Sequence, residues 1–132
     1  VSLKIEFHKI TALNYLPKVA FDFLKQGAES ETSDLTAEEA ILYAKNGIGD
    51  IFIITQDDII YGCVYFMYAN GILDIALFGG SRIKEWNDQA IDFIKTLAKS
   101  NNCSKIWIAS RKGWAKIFPE FEEIGRIYQL NC

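Results

Sequence analysis

Hydrophobic and polar positions along this chain change period several times, and each change marks a predicted element. In "LKIEFHKI" (3–10), apolar Leu3, Ile5 and Phe7 alternate with polar neighbours, the two-residue period of a first strand. "NYLPKVAFDFLKQGA" then shifts to helical spacing. Pro17 suits the first turn, where its missing N–H is no loss, and Val19, Ala20, Phe23 and Leu24 share one face. Thr36, with Glu39 three residues on, makes a capping box, and Gly47 closes a helix over 37–46. The polar stretch 27–35 between these helices is the most mobile loop expected.

Three apolar runs follow. "DIFIIT" (50–55) is too short for a helix, "QDD" (56–58) turns the chain, and "IIYGCVYFMYA" (59–69) returns as a long strand. Asn70-Gly71 tolerates positive φ at both positions, which predicts a hairpin into a third strand, 72–78. These strands are apolar on both sides, so helices are expected over both faces of the sheet. From Trp86 to about Ser100, Ala90, Ile91, Ile94, Leu97 and Ala98 recur at helical spacing. A strand (104–110), a short helix (112–118) and a last strand (122–130) complete the order βααβββαβαβ. The fold class is α/β with α+β character: a mixed sheet in which the strands flanking the long helix run parallel through a right-handed crossover.

Composition narrows the function classes. The 132 residues make one domain, 1–132, and half of them are hydrophobic. The formal charge is −3, and no cluster of Lys and Arg offers the counterion release that nucleic acid binding needs. No apolar run is long enough to span a membrane. The opening residues lack the order of a signal peptide, so a soluble protein folding inside the cell is expected. Cys63, Cys103 and Cys132 have no short spacing, and His8 is the one imidazole; neither a disulfide framework nor a metal site is expected.

The element order resembles that of the GNAT acetyl-CoA-dependent N-acetyltransferases over the whole chain. "LFGG", "EW", a helix, "C-x-x-I-W-I" and "R-K-G-W" in residues 77–114 are similar to a group of small GNAT-like proteins encoded by tailed bacteriophages; the matching positions are Gly79, Gly80, Trp86, Arg111, Gly113 and Trp114. The resemblance implies a cofactor diphosphate held on backbone N–H groups at a helix N-terminus, after an Arg/Gln-x-x-Gly-x-Gly/Ala loop. Arg82 matches the leading position, but Glu85 and Asn87 stand where the glycines belong. Gly79, Gly80, Ser81 and Arg82 are the candidate cofactor residues. The two glycines read either as a relocated anion nest or as a bulge or tight turn leaving the sheet. Glu85 and Asp88 offset Arg82 and Lys84.

The catalytic positions are thin. The Tyr that protonates the departing thiolate in many GNAT enzymes falls on Phe118, and the Gly-Phe that follows is reduced to Phe121. Asp74, mid-strand, is a candidate base or a solvent-facing residue. His8 reads as surface, Cys63 and Cys103 as packing, Cys132 as a frayed terminal thiol and Trp107 as core. Trp86, Arg111, Gly113 and Trp114 form either a structural cluster capped by cation–π contact or a recognition surface.

Three functions are consistent with these residues. The first is a GNAT-like phage protein with a degenerate acetyl-CoA site and no bound cofactor, serving as a non-catalytic virion or assembly component through protein contacts. It would be made in the host cytoplasm and incorporated into the particle. The second is an acetyl-CoA-dependent N-acetyltransferase acting on an amine, and the third a phage-encoded modifier that binds a host protein.

Overall fold

The computed structural model describes residues 3–12, 15–29, 34–109, 114–124 and 127–132. Among these residues seven strands form one sheet in the order β1-β2-β3-β4-β5-β7-β6. They are β1 (Glu6–Lys9), β2 (Asp50–Gln56), β3 (Ile59–Ala69), β4 (Ile72–Gly80), β5 (Lys105–Ala109), β6 (Glu122–Ile124) and β7 (Ile127–Asn131), with helices α1 (Lys18–Ala28), α2 (Ala37–Lys45), α3 (Asn87–Ser100) and α4 (Trp114–Ile117). Among the described residues only the β4–β5 pairing is parallel, and the other five strand pairings are antiparallel.

The meander β2–β3–β4 follows from its turns. Asp57 and Asp58 have φ of 51° and 67°, and Asn70 and Gly71 have φ of 55° and 76°, so both two-residue hairpins carry positive φ at each central position. That geometry matches the right-handed strand twist. The capping box forms as expected: Glu39 N–H donates to Thr36 Oγ1 (3.1 Å) and Thr36 N–H to Glu39 Oε1 (3.0 Å). Gly47, at φ 78°, follows the last turn of α2.

Each sheet face has its own core. One packs Ala20 and Leu24 of α1 and Ala37 and Ala40 of α2 on Ile51, Ile53, Cys63, Tyr65 and Leu77. The other packs Ala90, Ile91, Ile94 and Ala98 of α3, with Phe118 and Phe121, on Phe52, Val64, Phe66, Leu73, Ile75, Phe78 and Ile106. Gln89 of α3 closes the second core at its edge, accepting from Ile5 N–H (2.9 Å) and donating to the Leu3 carbonyl.

Four boundaries differ from the sequence reading. The expected last strand, 122–130, is two antiparallel strands instead: Ile124 faces Ile127 and Glu122 faces Gln129. The first strand is shorter, 6–9, although Ile10 N–H still reaches the Ile51 carbonyl at 2.8 Å. Helix α1 continues through Gly27 and Ala28, into the expected loop, because Gly27 lets the helix lie against the Phe78 backbone. A Cβ at Gly27 would sit 2.7 Å from Phe78 N. Strand β4 runs on through both glycines to Gly80.

Candidate functional site

The sheet opens at the C-terminal half of β4. Its parallel pairing with β5 covers only Ile72 to Ile75, opposite Lys105 to Ile108. Beyond that point β5 follows β7, while β4 continues beside β3 alone. The parting coincides with a bulge. Tyr65 faces Leu77 and Phe66 faces Ile75, which leaves Ala76 as the extra residue. Ala76 and Leu77 consequently both face α1 and α2, and Phe78 faces α3.

Gly79 and Gly80 stay within the ladder, opposite Cys63 and Gly62. Each admits a neighbour that a side chain would exclude. A Cβ at Gly79 would lie 1.8 Å from the Phe23 carbonyl oxygen, and one at Gly80 would lie 3.1 Å from Cζ2 of Trp86. The first contact sets α1 against the sheet and the second lays the indole over the strand end. Ser81 N–H then donates to the Tyr61 carbonyl (2.8 Å), ending the strand.

The turn into α3 is tight. Arg82 takes φ 54° and ψ 33°, and a 3₁₀ turn, Ile83–Glu85, follows. Glu85 N–H donates to the Arg82 carbonyl at 2.9 Å, and Trp86 N–H to the Ile83 carbonyl at 3.0 Å. The first α-helical bond runs from Ala90 N–H to the Trp86 carbonyl (3.1 Å), so the helical N–H groups before Ala90 make the positive end of α3. The Arg82 guanidinium is committed within the turn: Nε and Nη2 donate to the two Glu85 carboxylate oxygens at 2.5 and 2.6 Å. It also lies 5.7 Å from the Tyr61 ring centroid. The pair holds the Glu85 carboxyl below its usual range and raises the Arg82 guanidinium above its own. Asp88 adds a second carboxylate to the first turn of α3.

An aromatic row closes the α3 side of the opening. Trp86 is 1% exposed, donates from Nε1 to the Ser81 carbonyl (3.0 Å) and stacks on Phe78 with centroids 6.0 Å apart. Phe118 lies 6.0 Å from Phe78 and 5.9 Å from Phe121, and it is 2% exposed. Asn87 Nδ2 donates to the Ile117 carbonyl (2.5 Å), docking α4 on the head of α3. Asn87 therefore serves as a clasp at a position where the GNAT loop pattern has glycine.

Asp74 lies two residues before the bulge, opposite Met67 on β3 and Trp107 on β5. It is half-buried, and among the described residues its carboxylate has no hydrogen bond or ion pair. Burial pushes its carboxyl up to about 6. Tyr65, on the same face, donates from its hydroxyl to the Ile48 carbonyl (2.6 Å). Burial first, then the neighbouring Tyr43, Asp50 and Asp74, pushes that phenol up to about 12. Trp107 is half-buried rather than core, with Nε1 donating to Gln129 Oε1 at 2.8 Å.

The remaining candidates separate widely. His8 is exposed on β1, 3.4 Å from the Glu6 carboxylate. Cys63 is buried on the α1/α2 side, Cys103 is buried on the α3 side, and Cys132 is exposed. Cys132 is nevertheless held, its N–H donating to the Ser104 carbonyl at 2.8 Å. Trp114 opens α4, while Arg111 and Gly113 lie outside the described residues, so the expected cation–π cap cannot be placed there. Sequence reasoning missed Tyr61, which stacks under Arg82, and the Asn87 clasp. A strand tyrosine and a first-turn asparagine are too common to single out by pattern.

A mixed sheet whose central parallel pair parts at a strand bulge, with a helix N-terminus at the opening, defines the class of fold. It is the GNAT acetyltransferase fold. The chain is similar to a GNAT family acetyltransferase from Elizabethkingia anophelis with acetyl-CoA bound (TM-score 0.61, 12% identity, 97% of this chain and 98% of that one). It is also similar to the PaiA N-acetyltransferase of Thermoplasma acidophilum in complex with coenzyme A (0.66, 12%, 98% and 100%). A third likeness is to the catalytic domain of the Tetrahymena GCN5 histone acetyltransferase in complex with coenzyme A (0.64, 9%, 99% and 95%). No protein-family model and no curated protein matches the chain.

The local residues do not fit the diphosphate of such a cofactor. Two carboxylates stand at the positive end of α3, the one arginine of the turn is neutralised by Glu85, and Trp86 covers Gly80. Phe118 has no proton to give a thiolate.

Proposed function

We propose that this is a GNAT-fold domain with a degenerate acetyl-CoA site, acting through protein–protein contacts as a non-catalytic virion or assembly component of a tailed bacteriophage. The observation that carries the loss of the cofactor is the bidentate Arg82–Glu85 pair across the β4–α3 turn. A diphosphate would have to displace Glu85 from Arg82 and accept Asp88 as a like-charged neighbour. The phage setting, the protein partners, production in the host cytoplasm and incorporation into the particle rest on the sequence resemblance through Gly79, Gly80, Trp86, Arg111, Gly113 and Trp114.

A second reading, an acetyl-CoA-dependent N-acetyltransferase, is favoured by a specific observation. The parting of β4 from β5 is retained, and Asp74 stands beside it with its carboxyl near pH 6. One titration separates the two. Calorimetry of the folded protein with acetyl-CoA, and again with CoA, is expected to show no heat at millimolar ligand. The variant Glu85→Gln/Asp88→Asn, which releases Arg82 and removes both carboxylates, is expected to gain weak binding. Micromolar binding by the unaltered protein would favour the enzyme.

A further inference from the structure

The three cysteines are free thiols in different settings. Cys63 is fully buried under α1 and α2, and burial pushes its thiol up to about 12. Cys103 and Cys132 share one corner of the molecule. After α3, Asn102 takes φ 57° and turns the chain so that Cys103 N–H donates to the Ala98 carbonyl (2.8 Å). Ser104 N–H then donates to the Gly71 carbonyl (2.9 Å), where β5 begins. Strand β7 comes back along β5 with Asn131 opposite Lys105. The bond from Cys132 N–H to the Ser104 carbonyl (2.8 Å) carries the chain one residue further, onto the turn that holds Cys103. There Cys132 Sγ lies 4.0 Å from the Cys103 carbonyl oxygen, and Cys103 Sγ lies 3.5 Å from the Asn101 carbonyl oxygen.

We propose that Cys103 and Cys132 are a modification site, a thiol pair that a small disulfide such as oxidised glutathione converts to an intramolecular bridge. The bridge needs Cβ atoms about 4 Å apart. The Cβ positions are set by the backbone, which brings the Cys132 sulfur to 4.0 Å from the Cys103 carbonyl oxygen, and χ1 at each residue sets where its sulfur points. Exposure sets the order of events. Cys132 is open to solvent, whereas Cys103 is 6% exposed and shielded from a bulky reagent. The Cys132 thiolate attacks one sulfur of oxidised glutathione and releases the first reduced glutathione. Cys103 then loses its proton to solvent, attacks the Cys132 sulfur and expels the second. Two protein thiols lose two hydrogens, and one oxidised glutathione becomes two reduced molecules.

The closed loop spans about 30 residues and contains β5, α4, β6 and β7. The bridge would fasten the inner strand β7 to the end of α3. Nothing in it depends on whether the domain binds acetyl-CoA.

The test is to treat the folded protein with oxidised glutathione and read its intact mass and its non-reduced peptide map. The expected product has lost two hydrogens, contains a 103–132 linked peptide and keeps Cys63 as a thiol. Cys63→Ser should give the same loss and the same linked peptide. Cys103→Ser should stop at a glutathione adduct on Cys132, and Cys132→Ser should stay largely unmodified. A lasting glutathione adduct on Cys132 in the unaltered protein would overturn the proposal. So would a bridge involving Cys63, or a dimer joined through Cys132.

Discussion

A carboxylate that loses water without gaining a partner weakens the fold, and Asp74 is in that position. Burial raises its carboxyl from the ordinary aspartate range, near 3.8, to about 6. Between those values the folded state binds more protons than the unfolded one. The contribution of Asp74 to stability is therefore highest below the lower value, falls as pH rises through the window and stays low above it. Asp74→Asn should remove that slope and stabilise the protein at pH 7 by on the order of 1–2 kcal/mol, after discounting for partial exposure. Denaturant unfolding of both proteins between pH 4 and pH 8 would show it, and parallel pH profiles would show that Asp74 is solvated. At this scale the site was partly legible in advance. A carboxylate between Leu73 and Ile75 was visible as an anomaly, and Phe118 in place of a hydroxyl was visible outright. The use of Gly79 was not, because the atom it makes room for belongs to Phe23, far back in the chain.

At the scale of elements, local chemistry decides how well an end is specified. Helix α2 begins at two reciprocal hydrogen bonds between Thr36 and Glu39, both partners exposed. Thr36→Ala should cost about 1 kcal/mol, read as a lower denaturation midpoint with an unchanged slope. An unchanged midpoint would mean that packing of Ala37 and Ala40 fixes that end instead. The same locality explains which elements could be read in advance. The capping box, the Asn70-Gly71 hairpin and the period of α3 are written within a few residues. The β6–β7 reversal was passed over because residues 122–130 were read as one strand, and Ile124 and Ile127 are apolar either way. The bulge at Ala76 could not be read at all, since Ala76, Leu77 and Phe78 are apolar whichever face each takes, and only the register against Tyr65 and Phe66 reveals it.

For the whole molecule, the sheet is two antiparallel blocks meeting along one short parallel border. Strands β1 to β4 form the first and β5, β7 and β6 the second, and the border runs only from Ile72 to Ile75. Helix α3 and the contacts of Phe118 with Phe78 and Phe121 bridge the blocks on one side. The fold and its likeness to acetyltransferases were legible at this scale because element order survives when individual site residues do not. The border has a kinetic meaning. Amide hydrogens of β5 and β7 should exchange with solvent by a partial opening that leaves β2 and β3 protected, and hydrogen-exchange mass spectrometry would resolve the two rates. Equal protection across all four strands would mean that the molecule opens only as a unit. The place where β4 and β5 separate is thus also where this protein should first come apart, a tear line along the seam between its two blocks.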